Sequence, residues 1–183
     1  MTHRIGIIVG SLRKESLNRR LANALIKLGG EAFVAEIVDI SQLPHCDADH
    51  EDHPRQVVVD FKNRIESLEA ILFVTPEYNR GVPGFLKNAI DVASRPYGQN
   101  SWAGKPVGVI SVSPGGLGGF GANHQLRQCF VFLDMPALQQ PEAYIANAAD
   151  LFDAKGDLVD MSTLAFLREY LDAFALWIDR CRA

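Results

Sequence analysis

The stretch RIGIIVGSLRKESLN, residues 4–18, sets the class of fold. Its first part, IGIIV (5–9), is continuously apolar, as expected of a strand covered on both faces. Gly10 then permits a turn. A short loop with two serines and Arg13 follows, and a helical pattern starts at Ser16, with Leu17, Leu21, Ala24, Leu25 and Leu28 on one stripe. Gly29-Gly30 supplies a natural stop. A strand running through a polar loop directly into a helix is the opening of an α/β chain.

Working outward, the same alternation repeats. FVAEIVDI (33–40) reads as a second, more polar strand nearer a sheet edge, and residues 53–69 as a helix with Pro54 near its first turn. AILFVT (70–75) is a third strand, PGFLKNAIDVAS (83–94) a helix, and PVGVISVS (106–113) a fourth strand. A glycine-rich loop leads to a helix from about Ala122 to Leu133. MPALQ (135–139) and EAYIA (142–146) are weaker strand material, and residues 162–181 form a long terminal helix opened by Ser162. Apolar central strands alternating with helices predict a parallel sheet with helices on both faces.

The 183 residues fit one domain. Hydrophobic residues make up 48% and charged residues 22%, enough for a sizeable core in a soluble protein. A net charge of −4 offers nucleic acid or an anionic membrane no attraction, so any anion site must be local. Arg13, Lys14, Arg19 and Arg20 supply such a local cluster. Cys46, Cys129 and Cys181 are odd in number with no CxxC, and MTHRIG lacks a signal-peptide core. Reduced thiols in a cytoplasmic protein are the expectation. No apolar run approaches the ~20 residues of a membrane span.

Ligands of parallel sheets bind beyond the carboxyl ends of the strands. The loops there are 10–18, 76–84 and 113–121. In the first, Ser11, Ser16, Arg13 and the helix N-terminus make a phosphate cradle; the plainer reading is that Ser16 only caps the helix and Arg13 is solvated. It is neither a Walker A loop nor GxGxxG. In the second, Pro76-Glu77-Tyr78-Asn79 offers an aromatic and amides to a planar heterocycle, or else is a surface turn. The third holds a formal GxGxxG at Gly116–Gly121, but after the fourth strand rather than the first. Its glycines suit close approach of backbone amides to a flat ring better than a dinucleotide fold, which stays a minor alternative.

Together these residues resemble the NADPH-dependent FMN reductase family, in particular its bacterial soluble quinone and chromate reductases. The matching pattern is G-S-x-R-x-x-S-x-N at Gly10–Asn18, P-E-Y-N at Pro76–Asn79 with G-x-P-G-x-L-K-N-A-I-D after it, and G-K-P-V…S-x-S-x-G-G at 104–116. The resemblance implies a flavodoxin-like three-layer sandwich over residues 1–183, with sheet order 2-1-3-4-5. It implies FMN as cofactor and NADPH or NADH as co-substrate. Electrons would pass to quinones or to flavin, azo, nitro or chromate acceptors. Ser11, Arg13, Ser16 and Asn18, with Leu17 at the helix start, would hold the phosphate. Pro76, Glu77, Tyr78 and Asn79 would line one ring edge, with Ser113 and Gly116 opposite. A homodimer or homotetramer, with the cleft at a subunit boundary, is also implied.

No general base or nucleophilic dyad stands near the three loops, consistent with chemistry carried by a cofactor. Two rivals remain: a flavodoxin-type electron carrier, against which Arg13 and the modest net charge weigh, and a non-enzymatic FMN-binding redox sensor. One departure from the family pattern is LPHCDADHEDHP (43–54), which holds three of the five histidines. It lacks the paired spacing of a structural zinc site and reads as a solvated acidic loop, with no metal. The terminal helix carries two apolar stripes, one of Leu164, Leu167, Leu171, Phe174 and Ile178, the other of Phe166, Tyr170, Ala173 and Trp177. Deep docking and a subunit contact both account for that width, and the helix from Phe85 to Ala93 is a second candidate contact.

Overall fold

The computed structural model describes residues 2–182. Five strands, β1 (His3–Val9), β2 (Phe33–Val38), β3 (Ala70–Thr75), β4 (Val107–Val112) and β5 (Ala143–Ile145), form one sheet in the order β2-β1-β3-β4-β5. Every neighbouring pair is parallel. Between them run α1 (Leu17–Gly29), α2 (Gln56–Ser67), α3 (Gly84–Ser94) and α4 (Phe120–Phe132), and α5 (Met161–Arg182) closes the chain. This is a flavodoxin-like three-layer arrangement.

Strand side chains alternate between two cores, as the pleat requires. Ile5, Ile7, Val9, Leu72, Val74, Ile110 and Val112 pack with Leu21 and Leu25 of α1 and with Leu167, Leu171, Phe174 and Ile178 of α5. On the opposite face Ile8, Ile71, Phe73 and Val109 meet Phe61 and Ile65 of α2, Leu86 and Ile90 of α3, and Leu126 and Phe130 of α4. Trp102 is fully buried there and donates its indole N–H to the Ile90 carbonyl at 2.9 Å. Burying each such large side chain contributes roughly 1.5–3 kcal/mol.

Several local expectations shift. Helix α2 begins at Gln56 with Arg55 as its cap residue, so Pro54 precedes the helix rather than lying in its first turn. The segment 135–139 contributes only an isolated bridge, Val107 to Ala137, and β5 shrinks to three residues. Asp160, not Ser162, opens α5: its Oδ1 accepts the Thr163 amide at 2.7 Å. Both stripes of α5 face the core, Tyr170 being fully buried beside Leu167 and Phe174, so the helix is deeply docked. Gly10 is required for a different reason than a turn. A Cβ there would lie 2.7 Å from Thr75 Oγ1 and 2.8 Å from Leu86 Cδ2. Its absence lets the ends of β1 and β3 and the start of α3 close together beneath the first two loops. Among the described residues no helix is long and apolar enough to cross a membrane.

Candidate functional site

At the C-terminal edge of the sheet a cavity of about 250 Å³ is lined by Ser11, Arg13, Glu15, Ser16, Leu17, Asn18, Pro76, Glu77, Tyr78, Val112, Ser113 and Pro114. All three loops singled out in the sequence converge on it. Nine of the eleven expected ligand residues line it; Asn79 and Gly116 do not. Gly116 is exposed with open space around it, and Pro114 holds the facing wall in its place. Glu15, Val112 and Pro114 escaped sequence reasoning, because a proline, a strand-end valine and a charged loop residue carry no signal of lining a cavity.

The floor is rich in unspent donors. Ser16 caps α1 by accepting the Arg19 amide at 3.2 Å, which leaves its O–H free to donate. Cap and ligand roles are therefore compatible at this residue. The amides of residues 11–16 find no acceptor among the described residues. Ser11, Ser16 and Asn18 are buried, yet Asn18 Oδ1 has no hydrogen-bond partner. A buried acceptor without a donor is costly, and this one fits a ligand hydroxyl rather than an anion. Arg20 pairs with Glu15 at 2.9 Å, so Arg13, exposed and without an ion pair among the described residues, is the cation of this wall. Helix N-terminus, hydroxyls and guanidinium together make an anion seat beside a hydroxyl-binding pocket.

The second wall is the loop after β3. Tyr78 and Gly81 exchange both backbone hydrogen bonds, at 3.0 and 2.9 Å, around a two-residue turn in which Asn79 and Arg80 have φ of 51° and 67°. Glu77 lines the cavity, but its carboxylate is engaged with neighbouring protein groups. Its Oε2 accepts the Ala122 amide at 3.0 Å, and its Oε1 lies 3.3 Å from Arg80 Nη1. The third wall is ordered by Ser113, whose Oγ accepts the Gly115 amide at 3.1 Å, and by Gly118 and Gly119 at positive φ.

Beside this wall Phe120, His124 and Tyr144 cluster, with His124 Nε2 2.8 Å from the Tyr144 hydroxyl. Burial, reinforced by Glu142, pushes the Tyr144 phenol up to about 12.

A larger groove, about 1070 Å³, lies between α2, the end of α3 and the loop carrying His45, Cys46 and His50. Several of its charged groups are engaged locally: Asp47 with His50 at 3.0 Å, Glu51 with Arg95 at 2.9 Å, and Lys62 with the carbonyls of Arg95 and Gln99. Among the described residues no three His, Cys, Asp or Glu side chains gather as metal ligands. The smaller cavity, with its unpaired donors, is the functional candidate.

Comparison with known proteins gives the family. The family model for NADPH-dependent FMN reductase matches residues 3–150. A quinone reductase of Pseudomonas putida is 53% identical over 180 residues, 98% of this chain and 96% of the relative. A 2-hydroxy-1,4-benzoquinone reductase of a Burkholderia species is 41% identical over 178 residues, 97% of each chain. The solved flavoenzyme NAD(P)H:(acceptor) oxidoreductase of Paracoccus denitrificans superposes with a TM-score of 0.92 at 42% identity, covering 97% of this chain and 98% of the other. The chain belongs to the NADPH-dependent FMN reductase family and is an FMN-dependent NAD(P)H oxidoreductase.

Proposed function

We propose that residues 1–183 form a single FMN-binding domain that passes electrons from NADPH or NADH to quinone acceptors. The donor set of the cavity carries the assignment of residues. Arg13, Ser11, Ser16 and the amides at Leu17 and Asn18 hold the phosphate, and the orphan Asn18 Oδ1 accepts from a ribityl hydroxyl. Tyr78, Pro76 and the Asn79 turn border one side of the ring, with Ser113 and Pro114 opposite; Gly116, without neighbours, contributes only freedom to the loop. FMN supplies the redox chemistry when bound. The protein's part is to seat the phosphate, fix the plane of the ring and leave one face open to a flat partner.

The named activities of the two bacterial relatives support a quinone as acceptor. Flavins, azo and nitro compounds and chromate are further acceptors under this proposal, because an open mouth selects for access more than for shape. Cytoplasmic residence is supported by three unpaired cysteines. Self-association, as a homodimer or homotetramer, is supported by exposed apolar residues at the two ends of α4. There Leu117, Phe120, Val131 and Phe132 are all exposed, the last at 83%.

An FMN fluorescence titration of apoprotein, followed by NAD(P)H oxidation with and without benzoquinone, tests the assignment. Quenching at an equimolar end point and quinone-stimulated oxidation are the expected results. Unquenched fluorescence, or no oxidation by the loaded protein, overturns it.

A further inference from the structure

Helix α4 lacks an N-terminal cap of its own. Its cap residue is Gly119, which has no side chain to offer, and no acidic residue occupies its first turn. The missing acceptor comes from another element: Glu77, in the loop after β3, places Oε2 3.0 Å from the amide of Ala122, the third residue of the helix. The Glu77 side chain is only 11% exposed, so the contact is shielded as well as charge-assisted.

The same carboxylate faces the turn that follows it. Asn79 and Arg80 both occupy the left-handed region, which two-residue hairpin turns demand but L residues other than Asn resist. Such strain persists where surrounding contacts over-determine it. Those contacts come from the loop itself and from α4. Glu77 Oε1 approaches Arg80 Nη1 at 3.3 Å, and Gln125 Oε1 accepts the Val82 amide at 2.7 Å. Gly121 lets the two segments meet: a Cβ there would lie 2.7 Å from the Arg80 carbonyl oxygen and 2.8 Å from Glu77 Oε2. Meanwhile the amides of Asn79 and Arg80 find no acceptor among the described residues.

We propose that Glu77 is a positioning residue whose carboxylate latches the Asn79-Arg80 turn, which directly follows the cavity-lining Tyr78, onto the first turn of α4, so that its two unpaired amides are held for the edge of the cofactor ring. The latch joins the second and third loops into one rigid frame, and it rests on the reading of the cavity as the FMN seat. Gln at position 77 keeps the acceptor for Ala122; Ala does not.

The test compares wild type, E77Q, E77A and G121A as apoproteins titrated with FMN, with the visible circular dichroism of the bound cofactor as the second readout. For E77A a dissociation constant raised about tenfold, the size of one lost charge-assisted hydrogen bond, is expected together with an altered visible spectrum. E77Q should stay within about twofold of wild type with an unaltered spectrum. G121A, which pushes the turn off the helix without deleting the carboxylate, should resemble E77A. Should E77A fail to fold by far-ultraviolet dichroism, G121A decides alone. Wild-type affinity and spectrum in E77A or G121A, or an E77Q as impaired as E77A, overturns the latch. FMN left unquenched by wild type overturns the cavity reading beneath it.

Discussion

At the residue scale, Arg13 is the sharpest test of the anion seat. It is exposed, lines the cavity and has no ion pair among the described residues, so the fold spends nothing on it. Arg13→Ala should leave the thermal midpoint of the apoprotein unchanged and raise the FMN dissociation constant about tenfold or more, as expected for a charge-assisted contact of roughly 1.5–3 kcal/mol. Equal affinity of variant and wild type would return the loop to a helix cap. Tyr144 makes a separate prediction about pH. Burial first, and then the negative Glu142, raise its phenol to about 12. In the unfolded chain the same phenol ionises near the ordinary value of about 10. The native state therefore holds the proton longer, and this contribution to stability is complete below pH ~10 and fades as pH rises through about 12. An ultraviolet titration should show a late tyrosinate component that Tyr144→Phe reduces, the fully buried Tyr170 phenol, raised further by burial, remaining, and the variant should lose less stability over that interval.

At the element scale, what could be read from the sequence followed from burial. β3 is apolar at every position but the last, Thr75, and buried at every position, and its predicted bounds, 70–75, coincide with the observed strand. β2, more polar, lies at the edge and is half-buried along most of its length. The long helices were legible by their stripes, and the three ligand loops by their place after strands. Local periodicity could not show which hydroxyl or carboxylate caps a helix, because side-chain reach and loop direction decide that. Ser162 looked like the opening of α5, whereas the observed chain turns so that Asp160 reaches the Thr163 amide. It also could not show that the Glu77 carboxylate serves a helix 45 residues away, a contact set by tertiary packing. Asp160→Ala should accordingly lower the thermal midpoint, and Ser162→Ala should leave it nearly unchanged. Hydrogen bonds from Thr163 and Ser162 hold the Asp160 carboxyl below the usual carboxylate range. Its stabilising effect is therefore present above the unfolded pKa of about 3.9 and lost as pH falls through the lower native value. Equal midpoints for the two variants at pH 7 would refute the cap assignment.

At the scale of the whole molecule, the two faces of the sheet are covered but the outer side of α4 is not. Leu117 and Phe120 at its N-terminal end and Val131 and Phe132 at its C-terminal end are 60%, 52%, 84% and 83% exposed. Isolated surface hydrophobes are ordinary, but two exposed apolar pairs on one helix are material for the self-association proposed above. A second copy laid along α4 would bury them and would also wall the mouth of a cavity whose 250 Å³ encloses little more than the narrow end of a mononucleotide. Association and cofactor retention should therefore fall together. Phe132→Asp places a charge at the C-terminal end of the proposed contact, where leaving it unpaired is costly, while touching nothing in either core. The wild-type chain should sediment as a dimer or tetramer and Phe132→Asp as a monomer with unchanged far-ultraviolet dichroism. The monomer should bind FMN more weakly although every residue of the anion seat is intact. A wild-type chain monomeric at micromolar concentration would remove the subunit boundary from the site. A monomeric variant with full FMN affinity would show that one chain encloses the cofactor unaided.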